Sequence, residues 1–153
     1  MFKSGMIACA AITITAGALF ASSVPAAAGG IYMVNISNAM ASPDFAERID
    51  PSIRLYFGTT PHPRVLKNFG AYPTNEKTNA VMKSDRTACD WVFLSALKKL
   101  QERAHVLGAN AVINIHSYYD KEDVSSDTQV TCHSGAIMAG VALRGEFVTL
   151  AGH

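Results

Sequence analysis

Residues 88–112, ACDWVFLSALKKLQERAHVLGANAV, decide the fold of this chain. Val92, Phe93, Ala96, Leu97, Leu100, Ala104 and Leu107 recur at helical spacing, while Lys98, Lys99, Glu102 and Arg103 fall mostly outside that stripe. The spacing predicts an amphipathic helix over residues 86–107, roughly 33 Å long at about 1.5 Å per residue. Asp85 or Thr87 is placed to cap its start, and Gly108 suits the left-handed residue that ends a last turn. ANAV then opens a strand, so helix and sheet alternate around one apolar face. The expected class is α+β, one long helix packed on an antiparallel sheet.

Working outward, the first residues read as a targeting segment. Lys3, the apolar run 6–20 and the small residues Ala26-Ala27-Ala28 form a charged start, an apolar middle and a cleavage signal. That run is shorter than the ~20 residues a membrane span needs. Residues 1–28 are therefore expected to be a signal peptide, and residues 29–153 one α+β domain with its core at about 50–150. Cys9 follows Lys3 too closely for a lipoprotein signal. The expected product is periplasmic or secreted, with no transmembrane anchor after cleavage.

The chain carries 13 Lys and Arg against 12 Asp and Glu, and loss of Lys3 makes the two equal. Phosphate backbones are held by a clustered excess of cations, so no nucleic-acid partner is expected. Export also governs how the cysteines read. Cys89 and Cys132 remain after cleavage, and an even count in an oxidising compartment favours a disulfide. Closing that loop stabilises by about 4 kcal/mol on loop-closure entropy. Two buried thiols, or a metal pair with His133, are the competing readings.

In chain order, GGIYMVNI at 29–36 reads as a short strand or a leader, and residues 38–49 as a helix or, since Pro43 restricts its start, as an irregular turn leading to a shorter helix. Ile53, Leu55 and Phe57 alternate as a strand does. Residues 59–79 are polar and punctuated by Pro61, Pro63, Gly70 and Pro73, so they read as a long loop, with a short strand at 77–83 after it. Long loops often bind, and His62, Arg64, Lys67 and Tyr72 are the candidate binding residues; a surface meander is the bland reading. Residues 112–119 and 128–133 read as an antiparallel hairpin around a hydrophilic tip at 120–127. In the first of these, Ala111, Ile113 and Ile115 alternate with Val112, Asn114 and His116. The last stretch, SGAIMAGVALRGEFVTL, is apolar on both faces and reads as a long bent strand available to a second layer or another subunit.

Catalytic motifs for nucleotide binding, metalloprotease or serine-hydrolase chemistry are missing from the sequence. Cys132 and His133 are neighbours, and neighbours on a strand face opposite ways, so they make no nucleophile–base pair. No catalytic residue is assigned. His62, His116 and His133 have the chemistry of transition-metal ligands for Zn or Cu, though in no standard zinc spacing. Asp120, Glu122, Asp123 and Asp127 lack the glycine and final glutamate of a calcium loop. His105 sits near the helix end, where a partly positive ring complements the dipole.

Two runs carry a resemblance, KTNAVMKSDRTACDWVFLSALKKLQERAHVLGANAVINIHSYY and TCHSGAIMAGVALRGEFVTL. With LYFGTTPHP, they resemble a family of small exported bacterial proteins often labelled "excinuclease ATPase subunit". More loosely, LGANAV after a helix and the glycine-containing last strand resemble the YbjQ-like heavy-metal-binding family and the RcsF-type envelope sensors. The label does not fit the residues, since the chain has neither a phosphate loop with Lys nor paired C-x-x-C motifs. The resemblance implies an exported α+β domain braced by a disulfide. The expected function is a non-enzymatic binding or interaction module of the bacterial envelope, with a transition-metal-binding protein as the alternative. Its partner is an unidentified envelope protein or a second copy, met through the C-terminal strand. No cofactor is expected outside the metal alternative.

Overall fold

The computed structural model describes residues 29–152; the expected leader at 1–28 lies outside them. In chain order the elements are β1 (Gly30–Asn35), α1 (Ile36–Met40), α2 (Pro43–Arg48), β2 (Arg54–Phe57), β3 (Val65–Asn79), α3 (Asp85–Leu107), β4 (Ala111–Ser117), β5 (Gln129–Ser134) and β6 (Met138–Leu150). Six strands form one sheet in the order β1-β5-β6-β4-β2, and β3 lies along the other edge of β6. Every pairing is antiparallel except β2 with β4. The helix α3 crosses one face, which gives the expected α+β class.

α3 forms where its apolar spacing predicts. Ser84, one residue before the expected caps, accepts from the Thr87 N–H at 3.1 Å. Gly108 ends the helix in the left-handed region at φ 74°. Phe93, Leu97, Leu100 and Phe147 are fully buried in the layer between α3 and the sheet. Each such side chain contributes about 1.5–3 kcal/mol relative to exposure. Gln101 is the buried polar residue on this face, and it is fully used. Its amide donates to the carbonyls of Asp50 and Ile53, and its oxygen accepts from the Asp50 N–H. The turn before β2 is thereby fixed to the helix. At that turn the Ser52 N–H, then the Ser52 side chain, then His105 hold the Asp50 carboxyl below its ordinary range. That contribution to stability is present above the unfolded carboxyl's value and fades only as the pH falls below about 4.

The disulfide is formed. Cys89, in the second turn of α3, is bonded to Cys132 on β5, with Cα atoms 5.9 Å apart and a sequence separation of 43. Both are buried. No helix among the described residues is long and apolar enough to cross a membrane.

Four expectations are corrected. First, residues 59–79 are not a loop: Val65–Asn79 is a strand paired with β6 along its length. Its turn-like composition suits an outer strand. Pro73 has no N–H to leave unpaired on the free edge, and Gly70, at φ 102°, sits in a bulge between Asn68 and Ala71. The separate strand at 77–83 does not form; 77–79 end β3. Second, β4 and β5 do not pair with each other as a hairpin; both pair with β6, β5 at Ala139 and Gly140 and β4 further along at 143–148. The hairpin is β5–β6. With β3 on one edge and β5 and β4 on the other, β6 offers no free edge to a second copy. Third, the continuous helix at 38–49 gives way to the shorter-helix reading: α1 and α2 are separate, capped by Asn35 and Ser42, with Pro43 at the start of the second.

Fourth, β4 does not alternate regularly. Asn114 has φ 49°, and the β4–β6 register shifts between Ile113 and His116. This bulge puts Val112 and Ile115 on the α3 side, while Ala111 and Ile113 join Val148 and Leu150 in a smaller cluster with Tyr56 and Val65. Gly145 of β6 faces the bulge. A Cβ there would meet Val112 Cγ1 at 2.6 Å and Ile115 Cγ1 at 3.2 Å, whereas at Gly140 its nearest contact is 3.5 Å. Gly145→Ala is therefore expected to destabilise by roughly 1–3 kcal/mol through overpacking. Gly140→Ala should stay within about 0.5 kcal/mol. Urea unfolding of the two variants checks the difference, and equal midpoints would contradict the bulge packing.

Candidate functional site

Alternation in β1 and β5 builds the site. Their register pairs Tyr32 with Cys132 and Val34 with Val130, and these face α3. The intervening pairs, Ile31 with His133 and Met33 with Thr131, must then face away from it. Nothing in the α3 layer reaches that face, and Ile31 remains 67% exposed.

A second wall comes from the excursion between β4 and β5. The Ser117 and Val124 main chains exchange two hydrogen bonds, at 2.9 and 3.1 Å. Between them Asp120 and Lys121 take positive φ of 50° and 67°, a tight reversal that L residues adopt only under constraint. The reversal lays the Tyr119 ring on His133, stacked at 3.4 Å between centroids. The result is an open groove of about 460 Å³ lined by Ile31, Met33, Tyr119, Val124, Thr131 and His133, with Asp120 and Glu122 as its charged lining residues.

The excursion is tied down at two further points. His116 donates from Nδ1 to the Asn114 carbonyl at 2.7 Å, and its Nε2 lies 2.6 Å from Asp123 Oδ1. The Arg144 guanidinium is 3.7 Å from the same oxygen. Beyond it, Glu146 accepts from Asn68 and Asn114. At the far end Asp127 accepts from the Thr59 N–H and hydroxyl, so the excursion is also bound to the turn after β2. His116, Asp123, Arg144 and Glu146 line a second hollow of about 300 Å³. His116 and Arg144 both engage Asp123, and Glu146 is held by Asn68 and Asn114, so the strip reads as a brace.

The candidate binding residues His62, Arg64, Lys67 and Tyr72 do not converge. His62 packs edge-on against Tyr56, with Nδ1 donating to the Pro63 carbonyl. Lys67 lies over Phe69, and Arg64 is exposed. Tyr72 packs on the α3 side, against Phe147 and beneath Arg103, whereas the Tyr56 that His62 meets belongs to the cluster on the other face. The three histidines considered for a metal are also in separate settings: His62 on Tyr56, His116 between a carbonyl and a carboxylate, His133 under Tyr119. Among the described residues no three His, Cys, Asp or Glu side chains gather as a metal site.

Sequence reasoning missed Ile31, Met33, Tyr119 and Val124. The signal was present in the disulfide expectation, because turning Cys132 inward turns Thr131 and His133 outward. Comparison with protein-family models, with curated proteins and with solved structures finds no match to this chain.

If the His116–Asp123 contact holds the excursion, His116→Ala should speed hydrogen exchange at Ser117 and Val124 about tenfold or more, the equivalent of one charge-assisted hydrogen bond. Amides of β3 should not change. Unaltered exchange at Ser117 and Val124 would show that the brace lies elsewhere.

Proposed function

We propose that this chain is a non-enzymatic binding module of the bacterial envelope that docks a partner protein on the sheet face turned away from α3. The observation that carries the reading is the groove, where apolar side chains from β1 and the 118–128 excursion stay exposed together beside a stacked Tyr119–His133 pair. Grouped exposed apolar side chains with a polar rim are the mark of a contact surface, while scattered ones are ordinary. Aromatic residues in such a setting give much of the energy of an interface.

The extracytoplasmic part of the proposal rests on three supports. A buried disulfide spans 43 residues of sequence, which suits an oxidising compartment. Residues 1–28 have the composition of an export signal. The runs resembling small exported bacterial proteins agree with both. The excinuclease label that accompanies the resemblance is not carried over, for want of a phosphate loop.

Site-specific photocrosslinking in intact cells tests the reading. A photoreactive residue at Met33 or Val124 is expected to give one discrete product, lost when Tyr119→Ala is added. The same group at Lys98, on the exposed side of α3, should give none. Products of equal yield from Lys98, or none from either groove position, would contradict the assignment.

A further inference from the structure

We infer that the groove's occupant is an extended segment of a partner protein, apolar and basic, that adds as a seventh strand to the free edge of β1. The inference rests on the proposed docking face and names what fills it.

β1 ends the sheet, so among the described residues one of its edges has no neighbour. The Ile36 N–H donates to the Thr128 carbonyl at 3.0 Å, which fixes the phase of the ladder just beyond β1. By the two-residue alternation of antiparallel pairs, the main-chain groups of Tyr32 and Val34 point to β5. Those of Ile31 and Met33 point outward. The outer edges of this sheet are not alike. β3 is guarded by Pro73, Lys67, Lys77 and two register shifts, the devices that block strand addition. β1, GIYMVN, has no charge, no proline and an unbroken register with β5. An unguarded edge of six residues is a template for main-chain pairing, and the adjoining groove supplies side-chain selection.

Charge decides the occupant. Among the described residues Asp120 and Glu122 line the groove and no Lys or Arg does, so an incoming strand gains from a basic side chain over the rim and apolar ones over Ile31, Met33 and Val124. A second copy's β1 brings no basic residue, which disfavours self-pairing at this edge.

The probe is a fluorescein-labelled eight-residue peptide of alternating Leu and Lys, compared with its Leu–Glu counterpart and with a Leu–Lys version N-methylated at alternate residues. Anisotropy titration of the disulfide-intact protein should give micromolar binding of the Leu–Lys peptide. At least tenfold weaker binding is expected for the other two. The double substitution Asp120→Asn and Glu122→Gln should cost the Leu–Lys peptide about tenfold, and Met33→Pro should abolish its binding. The N-methylated peptide tests main-chain pairing even if Met33→Pro fails to fold. Equal binding of the Leu–Glu or N-methylated peptide, or no binding of the Leu–Lys peptide, overturns the inference. So does a concentration-dependent dimer abolished by Met33→Pro, which would make the occupant a second copy. If the peptide fails while Met33 and Val124 crosslink as expected, strand addition alone falls; if both fail, the docking face falls with it.

Discussion

The bond between Cys89 and Cys132 is the constraint on which the rest depends, because of where the sheet is thin. β3 and β4 grip β6 over long registers, whereas β5 meets it only at His133–Gly140 and Ser134–Ala139. The β1–β5 pair is thus a wing hinged on a two-residue ladder. Tyr32, Val34 and Val130 pack it towards α3, but the covalent link fixes that packing in place. On loop-closure entropy the link stabilises the fold by about 4 kcal/mol, a large share of what a domain of this size has to spare. It also suppresses local opening of the wing. Since the wing carries Ile31, Met33, Thr131 and His133, the same bond that stabilises the fold holds the docking face in shape.

A second constraint acts at the other end of the face. The extra residue at Asn114 turns Ile115 towards α3 and leaves His116 on the open side. Gly145 makes room for the two β4 side chains that the bulge brings together. His116 then reaches Asp123, and the excursion that carries Tyr119 and Val124 is laid against the wing. Packing in the core and position of the groove wall are thus linked through one irregular residue. Bulges that re-aim a side chain commonly sit beside functional surfaces.

These features differ in how plainly the sequence shows them. α3 was legible because seven apolar positions at helical spacing, a glycine stop and strong helix formers all agree. The disulfide was legible from the cysteine count and the expected export. β3 was not, because Pro73, Gly70 and the asparagines carry the same local signal in an outer strand as in a loop; only the partner strand distinguishes them. The β4–β5 hairpin follows from the two being consecutive, but β6 is apolar on both faces and takes both strands along one of its edges. The candidate site was misplaced for a related reason. Polar residues such as His62 and Arg64 drew attention, while Ile31 and Met33 look like core until the register of β1 against β5 turns them outward.

Hydrogen exchange measured before and after reduction of Cys89–Cys132 tests the dependence of the wing on that bond most directly. The account predicts that amides of β1 and β5 lose protection by about tenfold or more, as expected for a freed local unit, while β3, β4 and β6 keep theirs. β1 and β5 remaining as protected as before, or all strands losing protection equally, would contradict it.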